Sequence, residues 1–389
     1  MDPTLRSLLQ GTSRSFYLSL RLLPPATAPQ IGLAYLIARA TDTIADTEAV
    51  APALRAALLR ALAAELGRER ALGAPQDEQP GAVLDRLLGG TPAAAFAATR
   101  AMSPAAPSAA ELALLRRLPA LLATYQALAP ADRRRTGRCL RTIISGQLLD
   151  LERFAGARAE APVALPDRAA LEDYCWRVAG VVGAYWTEMH CAHLPALRGT
   201  GPRGQGAAEP ARLRRLGIRY GKALQLLNVL RDLPRDLARG RCYLPADGLA
   251  ALGLAPRELR APELAPRLRP LYDELLQQTL AGLAAGARYL LLLPPGQLRL
   301  RLATALPLWI GLETLRRLRA SPAILDPRRV IKVPRRQLYR LLAAGALRLP
   351  SGRASAAFCR RLLRRAALPA PAPGLRPVAP AGEAGASRA

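Results

Sequence analysis

The sequence predicts an all-α protein. Three observations carry this: apolar residues recur at a period near 3.6, the β-branched alternation typical of strands is almost absent, and Ala and Leu dominate an apolar fraction of 51%. A chain of 389 residues with that much apolar content can bury a large core, which excludes disorder throughout. From the N-terminal side, residues 31–47 read as a helix released by Pro29. The Pro-, Gly- and Ala-rich stretch 72–107 reads as loops with short helical pieces. Residues 111–128 read as a helix opened by the capping box Ser108-x-x-Glu111, whose side chains satisfy backbone N–H groups at the helix start. Further helices are expected over 138–154, from the N-cap Asp167 to about 193, and over 271–293. Leu213, Leu216, Tyr220, Leu224, Leu227 and Arg231 share one helical face. Residues 200–210 form a polar, Gly-rich connection. No strands and no fixed-period repeats are expected. We expect one all-α catalytic domain over 1–345 and a basic, Pro- and Ala-rich tail over 346–389, largely disordered after about 369.

The charge balance is strongly basic. There are 56 Lys+Arg against 29 Asp+Glu, and only Lys222 and Lys332 are lysines, a bias that resembles codon usage. No homeodomain, zinc-finger or RNP motif accompanies the arginines, so nucleic acid is not the expected partner. A basic surface does attract anionic headgroups and phosphorylated substrates. Five scattered cysteines show no pairing spacing, which excludes a disulfide scaffold and fits a reducing compartment. Met1-Asp2-Pro3 leads to Arg6 without the apolar run of a signal peptide. The longest uncharged run, between Arg21 and Arg39, is broken by Pro24, Pro25 and Pro29 and is too short to span a bilayer. The expectation is a cytoplasmic monomer in peripheral contact with lipids at the inner face of the membrane.

Aspartate is scarce, so its spacing is informative. Asp42 and Asp46 stand four apart on one helical face, and Asn228, Asp232 and Asp236 repeat that spacing on another. Like charges at this spacing destabilise an isolated helix by a few tenths of a kcal/mol, about 0.2–0.5. Apolar surroundings raise the cost. Local arginines (Arg39, Arg231, Arg235) could compensate, and so could a divalent metal. An oxygen-only donor set without His or Cys suits Mg²⁺, which keeps waters and bridges to substrate phosphates. His190-x-x-His193 beside Cys191 reads as surface at a helix end, since further ligands are missing.

Four blocks resemble the squalene/phytoene synthase family. They are Ser13-Arg14-Ser15-Phe16-Tyr17, then 34–46 with Tyr35, Arg39, Asp42 and Asp46, then the YCxxVAGxVG-like run 174–183, then 224–245, which matches LQxxNxxRDxxxD followed by GRxYLP. The resemblance implies an isoprenoid synthase fold, with helices around a deep apolar cavity and two Asp-rich motifs at its mouth. It also implies head-to-head joining of two prenyl diphosphates, farnesyl diphosphate in the squalene branch. By the same resemblance Asp42, Asp46, Asp232 and Asp236 hold Mg²⁺, with Gln225 and Asn228 beside them. Ser13, Arg14, Ser15, Arg39, Arg231 and Arg241 bind diphosphate, and Tyr174, Tyr35 and Arg39 are the catalytic candidates. Cations in such a cavity gain about 1–2 kcal/mol from each well-placed aromatic face. Phe16, Trp176, Tyr185 and Trp186 are further aromatics near the blocks, with core packing the plainer role for Phe16, Tyr185 and Trp186. Gly180 and Gly183 suggest close helix approach or room for a prenyl chain. Pro234, between the second pair of aspartates, is expected to kink or end its helix.

Squalene, dehydrosqualene, phytoene and presqualene diphosphate remain alternative products at this stage. Asp42-Thr43-x-x-Asp46 looks like the squalene-type first motif, and 330–335 loosely resembles a basic VKIxR segment, which makes Lys332 a candidate for NADPH. No dinucleotide fingerprint follows a strand. A non-catalytic adaptor for membranes or nucleic acid is the competing class, and it would not need the four carboxylates.

Overall fold

A computed structural model describes residues 8–9, 17–48, 50–68, 107–197, 209–329 and 331–367. The expected loops over most of 72–107, the connection at 200–208 and the tail beyond 367 lie outside the described residues, as do Ser13, Arg14, Ser15 and Phe16. In chain order the helices are α1 (Tyr17–Arg21), α2 (Ala28–Asp46), α3 (Pro52–Gly67), α4 (Ala109–Arg116), α5 (Leu118–Gln126) and α6 (Pro130–Arg153). A short strand, β1 (Val163–Leu165), precedes α7 (Arg168–Cys175). One turn of π-helix (Trp176–Gly180) joins α7 to α8 (Val181–His193). Then follow α9 (Pro210–Leu237), β2 (Arg241–Pro245), α10 (Ala246–Ala250), α11 (Ala265–Leu292), α12 (Leu298–Ala320), α13 (Arg335–Ala346) and α14 (Gly352–Ala366).

The fold is all-α, as expected, and several sequence signals act where they were read. Ser108 and Glu111 form the capping box of α4 in full. Asp167 caps α7 by accepting from the Ala170 N–H at 2.8 Å. The run expected over 111–128 is divided at Arg117 because Pro119 starts a new helix within its first turn. The absence of strands is corrected: β1 and β2 pair in parallel, Val163 opposite Arg241. Gly240 makes this possible with φ +77° and with backbone of Arg158 only 2.4 Å from where a Cβ would sit. The boundary expected at 345 does not separate packed from unpacked chain. Phe358, Cys359, Leu362 and Ala366 of α14 are buried in the same core as α9, α11 and α12.

Two buried clusters fill the molecule. One joins α9, α11, α12 and α14; the other joins α2, α3, α5 and α6. α8 lies between them, with Trp186 packed against both and Tyr185 buried. Tyr185 donates to the Gln30 carbonyl at 3.2 Å, so its role is in the core. Gly183 serves close helix approach: a Cβ there would lie 2.0 Å from the Gly217 carbonyl oxygen of α9. His190 corrects the surface reading. It is fully buried, hydrogen-bonded through Nδ1 to the Trp186 carbonyl (2.7 Å) and through Nε2 to Thr27 Oγ1 (3.2 Å). Burial lowers its pKa to about 4, so the ring is neutral at pH 7. His193 turns instead to Asp132, at 2.8 Å.

Pro234 does not end its helix. It lies inside α9, which runs on to Leu237. Proline cannot donate to the carbonyl four residues earlier, that of Leu230. The fully buried Tyr272 of α11 supplies the missing donor, its hydroxyl reaching the Leu230 oxygen at 3.0 Å. A partner helix thus repairs the break and keeps Asp232 and Asp236 on one continuous helix.

Gly183→Ala should destabilise the protein by at least about 1–3 kcal/mol through overpacking, as measured by denaturant unfolding. Gly296→Ala, where nothing lies within 4 Å of the new Cβ, should stay within about 0.5 kcal/mol of the parent. Tyr272→Phe should cost about 1–3 kcal/mol, the penalty of leaving a buried carbonyl unpaired. A Tyr272→Phe protein as stable as the parent would remove the hydroxyl from its bracing role.

Candidate active site

The apolar positions of α2 (Leu33, Leu36, Ile37, Ala40, Ile44) face the core, leaving Ala38, Asp42, Ala45 and Asp46 on a cavity of about 310 Å³. α6 contributes Ile143, Gln147, Asp150 and Leu151 to the same cavity, again one helical face. Tyr174, Val178 and Val182 arrive from α7, the π-turn and α8, Gln225 from α9, and Arg241 and Tyr243 from β2. The lining mixes apolar side chains (Ala38, Ile143, Leu151, Val178, Val182) with polar and ionisable ones.

Those polar groups are linked. Gln147 donates to Asp42 Oδ1 at 2.6 Å. Arg241 stands 3.6 Å from Asp46 and 3.9 Å from Glu48. Tyr243 donates to Asp150 at 2.8 Å and stacks on Tyr174 with ring centroids 4.5 Å apart. Gln225 donates to the Tyr174 hydroxyl at 3.3 Å. The Tyr174 phenol stays neutral, because burial, then the neighbouring Tyr243 and Asp150, push its pKa well up.

The carboxylates lack sufficient counter-charge. Burial, then the charge of Asp46, pushes Asp42 up to about 7 despite Arg39 and Gln147. Its side chain keeps 45% of its surface open, and it lines the cavity rather than a convex face. Burial, then Asp232, pushes Asp236 up to about 7 against the pull of Arg241 and Arg239, with Asp46 of the other motif adding to the rise. Asp150, half-buried, also rises to about 7, mainly through loss of solvation. Asp46, Asp150 and Asp236 therefore share one field, with Arg241 between them as the common cation.

Other candidates are placed differently. Arg39 is on α2 but is held by Glu111, with Asp42 at 3.9 Å, and is not among the cavity walls. Tyr35, one turn earlier, packs half-buried against the core. Arg231 is engaged with Asp232 through two contacts, at 3.0 and 2.6 Å. Asn228 is half-buried on α9, one turn before Asp232. Lys332 is exposed just ahead of α13 and is not among the residues that line this cavity. Sequence reasoning missed Gln147, Asp150 and Glu111 as site residues. The signal that could have found the first two was Gln147-x-x-Asp150, a rare carboxylate on the apolar face of a helix already expected.

The donor set fits Mg²⁺. Among the described residues no three His, Cys, Asp or Glu side chains converge on one point. Each Asp pair offers two carboxylates, the usual protein share for an ion that completes its shell with phosphate and water. Carboxyls raised by burial and by a paired carboxylate are groups whose charged form a bound cation would stabilise.

The shifts carry a sign for stability. A carboxyl whose folded pKa lies above its unfolded value stabilises the fold below the unfolded pKa, and that contribution is lost as pH rises through about 7. The metal-free protein should therefore melt at higher temperature at pH 5.5 than at pH 8. Asp150→Asn, which can still accept from Tyr243, should flatten that difference. Equal pH dependence in the variant would refute the assignment of Asp150.

Comparison with known proteins agrees with this geometry. The family model described as squalene/phytoene synthase matches residues 9–337. A phytoene synthase of Thermus thermophilus is 36% identical over 114 residues, covering 29% of this chain and 34% of that protein. A presqualene diphosphate synthase of Zymomonas mobilis is 30% identical over 156 residues, covering 40% and 45%. The matches thus span less than half the length of these relatives. By structure, TcSQS with the ligand BPH1237 aligns with TM-score 0.64 at 17% identity over 93% of this chain and 96% of that one. A dehydrosqualene synthase in complex with a ligand aligns with TM-score 0.55 at 22% identity over 87% and 93%. These two likenesses establish the isoprenoid-synthase fold, and with the family match across most of its length the chain belongs to the squalene/phytoene synthase family.

Proposed function

We propose that this chain condenses two farnesyl diphosphates head to head, giving presqualene diphosphate. The observation that carries the reading is that one aspartate of each pair, Asp46 of α2 and Asp236 of α9, feels the charge of Arg241, which with Asp42 and Asp46 lines a cavity of mixed polar and apolar walls. Asp42, Asp46, Asp232 and Asp236 would hold Mg²⁺, which when bound supplies positive charge to diphosphate oxygens as the leaving group departs. Arg241 faces the same oxygens as a fixed guanidinium, and Gln147 and Gln225 hold Asp42 and Tyr174 in place. The allylic cation of the first substrate is then attacked by the 2,3 double bond of the second. Loss of one proton closes the cyclopropane, so the balance is two farnesyl diphosphates to presqualene diphosphate, diphosphate and a proton. Val178, Val182, Ile143 and Leu151 keep water from the cation, and the stacked Tyr174 and Tyr243 present π faces to it. Tyr174 enters as a neutral phenol. It accepts a proton only as it passes its own to a stronger base, and departing diphosphate is the available one.

The presqualene diphosphate synthases among the relatives support the C15 substrate and this product. The squalene-type pattern Asp42-Thr43-x-x-Asp46 favours a second reading, onward reduction with NADPH to squalene. A hydrocarbon or lipid-like product also fits contact with a membrane surface. No helix among the described residues is long and apolar enough to cross a bilayer.

The test is incubation of the purified protein with farnesyl diphosphate and Mg²⁺, with and without NADPH, and identification of products by mass spectrometry. Presqualene diphosphate without NADPH is expected; squalene on its addition supports the second reading. Phytoene from geranylgeranyl diphosphate, with no C30 product, overturns both. Asp42→Asn and Asp232→Asn should each lower turnover at least about 10²–10³-fold, the scale of losing one charge-stabilising group. Their far-UV circular dichroism should be unchanged, and EDTA should abolish activity. Tyr174→Phe should slow cyclopropane formation with little effect on substrate binding.

A further inference from the structure

The last described part of the chain has a charge pattern that the active site does not use. Residues 327–367 hold twelve Lys and Arg and no Asp or Glu. All twelve are exposed. Among the described residues only Arg328 and Arg329 have a carboxylate within ion-pair distance, and both share Asp326. The rest of the molecule holds 44 Lys and Arg against all 29 Asp and Glu, so the excess of positive charge is densest in this segment.

The cations are ordered along helices. On α13 the exposed positions are Arg335, Arg336, Tyr339, Arg340, Ala343 and Leu347 just past its end, which fall on one helical face. Tyr339 is 66% exposed and Leu347 82% exposed, so the cationic face also presents an aromatic ring and a leucine to solvent. On α14, Arg353, Arg360, Arg361, Arg364 and Arg365 form a similar stripe, opposite the buried Phe358, Cys359 and Leu362. The two helices are held rigidly. Gly345 of α13 lies directly on the Trp309 ring, and Phe358 packs edge-on to that ring at 5.5 Å. Arg348 in the connecting turn sits over Phe358 at 5.4 Å, and Ser355 donates to its carbonyl at 2.9 Å.

We propose that α13 and α14 are the docking face of this protein for an anionic lipid bilayer. Arginines meet lipid phosphates, while Tyr339 and Leu347 enter the headgroup region, the combination that amphipathic interfacial helices use. A purely electrostatic partner such as duplex nucleic acid would account for the cations but not for a leucine left four-fifths exposed among them. The proposal deepens the membrane contact within the function proposed above and rests on it for its purpose. Its test needs no substrate, so failure of the docking face and failure of the condensation reading are separately visible.

The experiment is co-sedimentation of the full chain with vesicles of phosphatidylcholine alone or mixed with phosphatidylglycerol, over a range of salt. Binding to the anionic vesicles, weakened by salt and absent for phosphatidylcholine, is expected. Arg335→Glu/Arg336→Glu/Arg340→Glu should lower partitioning by about 10²-fold or more, since each cation near an anionic surface is worth a factor of about five. Arg212→Glu/Arg215→Glu/Arg219→Glu on the exposed side of α9 changes net charge equally and should retain binding to within about threefold. Tyr339→Ser/Leu347→Ser should weaken binding while leaving its salt dependence in place. Circular dichroism and melting temperature confirm that each variant is folded. Equal losses from both triple variants would mean bulk charge rather than this face. Unchanged binding in the α13 triple variant, or in Tyr339→Ser/Leu347→Ser, overturns the proposal. So does a face whose loss abolishes binding to a duplex DNA but not to vesicles.

Discussion

Everything in the central cleft depends on carboxylates that are short of positive charge, in a protein that otherwise has it in excess. Asp42, Asp150 and Asp236 are driven towards protonation by burial and by the charges of Asp46 and Asp232, while Arg241 is the cation that Asp46, Asp150 and Asp236 share. Elsewhere among the described residues single acids gather two cations each: Glu313 takes Arg316 and Arg317, and Glu188 takes Arg138 and Arg214. A field left unbalanced in one place costs stability and is found where a ligand completes it. Here the charge that would complete the field is positive, and the space beside it is lined by both polar and apolar side chains.

Holding that field in place requires rigid helices, and the fold supplies rigidity through close contacts. α8 and α9 approach backbone to backbone at Gly183 and Gly217, which sets the distance between the wall carrying Val182 and the helix carrying Gln225, Asp232 and Asp236. His190, neutral and buried, ties α8 to Thr27 at the start of the helix that carries Asp42 and Asp46. Tyr272 completes the backbone of α9 where Pro234 would break it. Each of these contacts joins residues far apart in the chain, and each bears on the position of an aspartate pair.

The small parallel sheet has a similar effect. Three residues of β1 hold five of β2, and β2 places Arg241 and Tyr243 on the cavity. Gly240 lets the chain leave α9 and turn into that strand. A ladder this short adds little stability by itself. Its consequence is positional: it brings the common cation of the two motifs and the Tyr243–Tyr174 stack to the same side of the site.

By itself the sequence determined the helical class, the capped starts at Ser108 and Asp167, and the two aspartate pairs, because periodicity, capping and spacing within a helix are local properties. It also carried the family, since four blocks in order are a pattern in one dimension. Tertiary structure decided what those residues face. Arg39 was legible as a cation near Asp42, but only packing brings Glu111 of α4 to it. Gln147 and Asp150 were visible as polar residues on an otherwise apolar helix face, but nothing within α6 says that they meet Asp42 and Tyr243. Pro234 read as a break, because the hydroxyl that compensates for it lies on a helix 38 residues later. Local rules state what each residue needs; which neighbour meets the need is set by contacts between distant segments, and those exist only once the helices have packed.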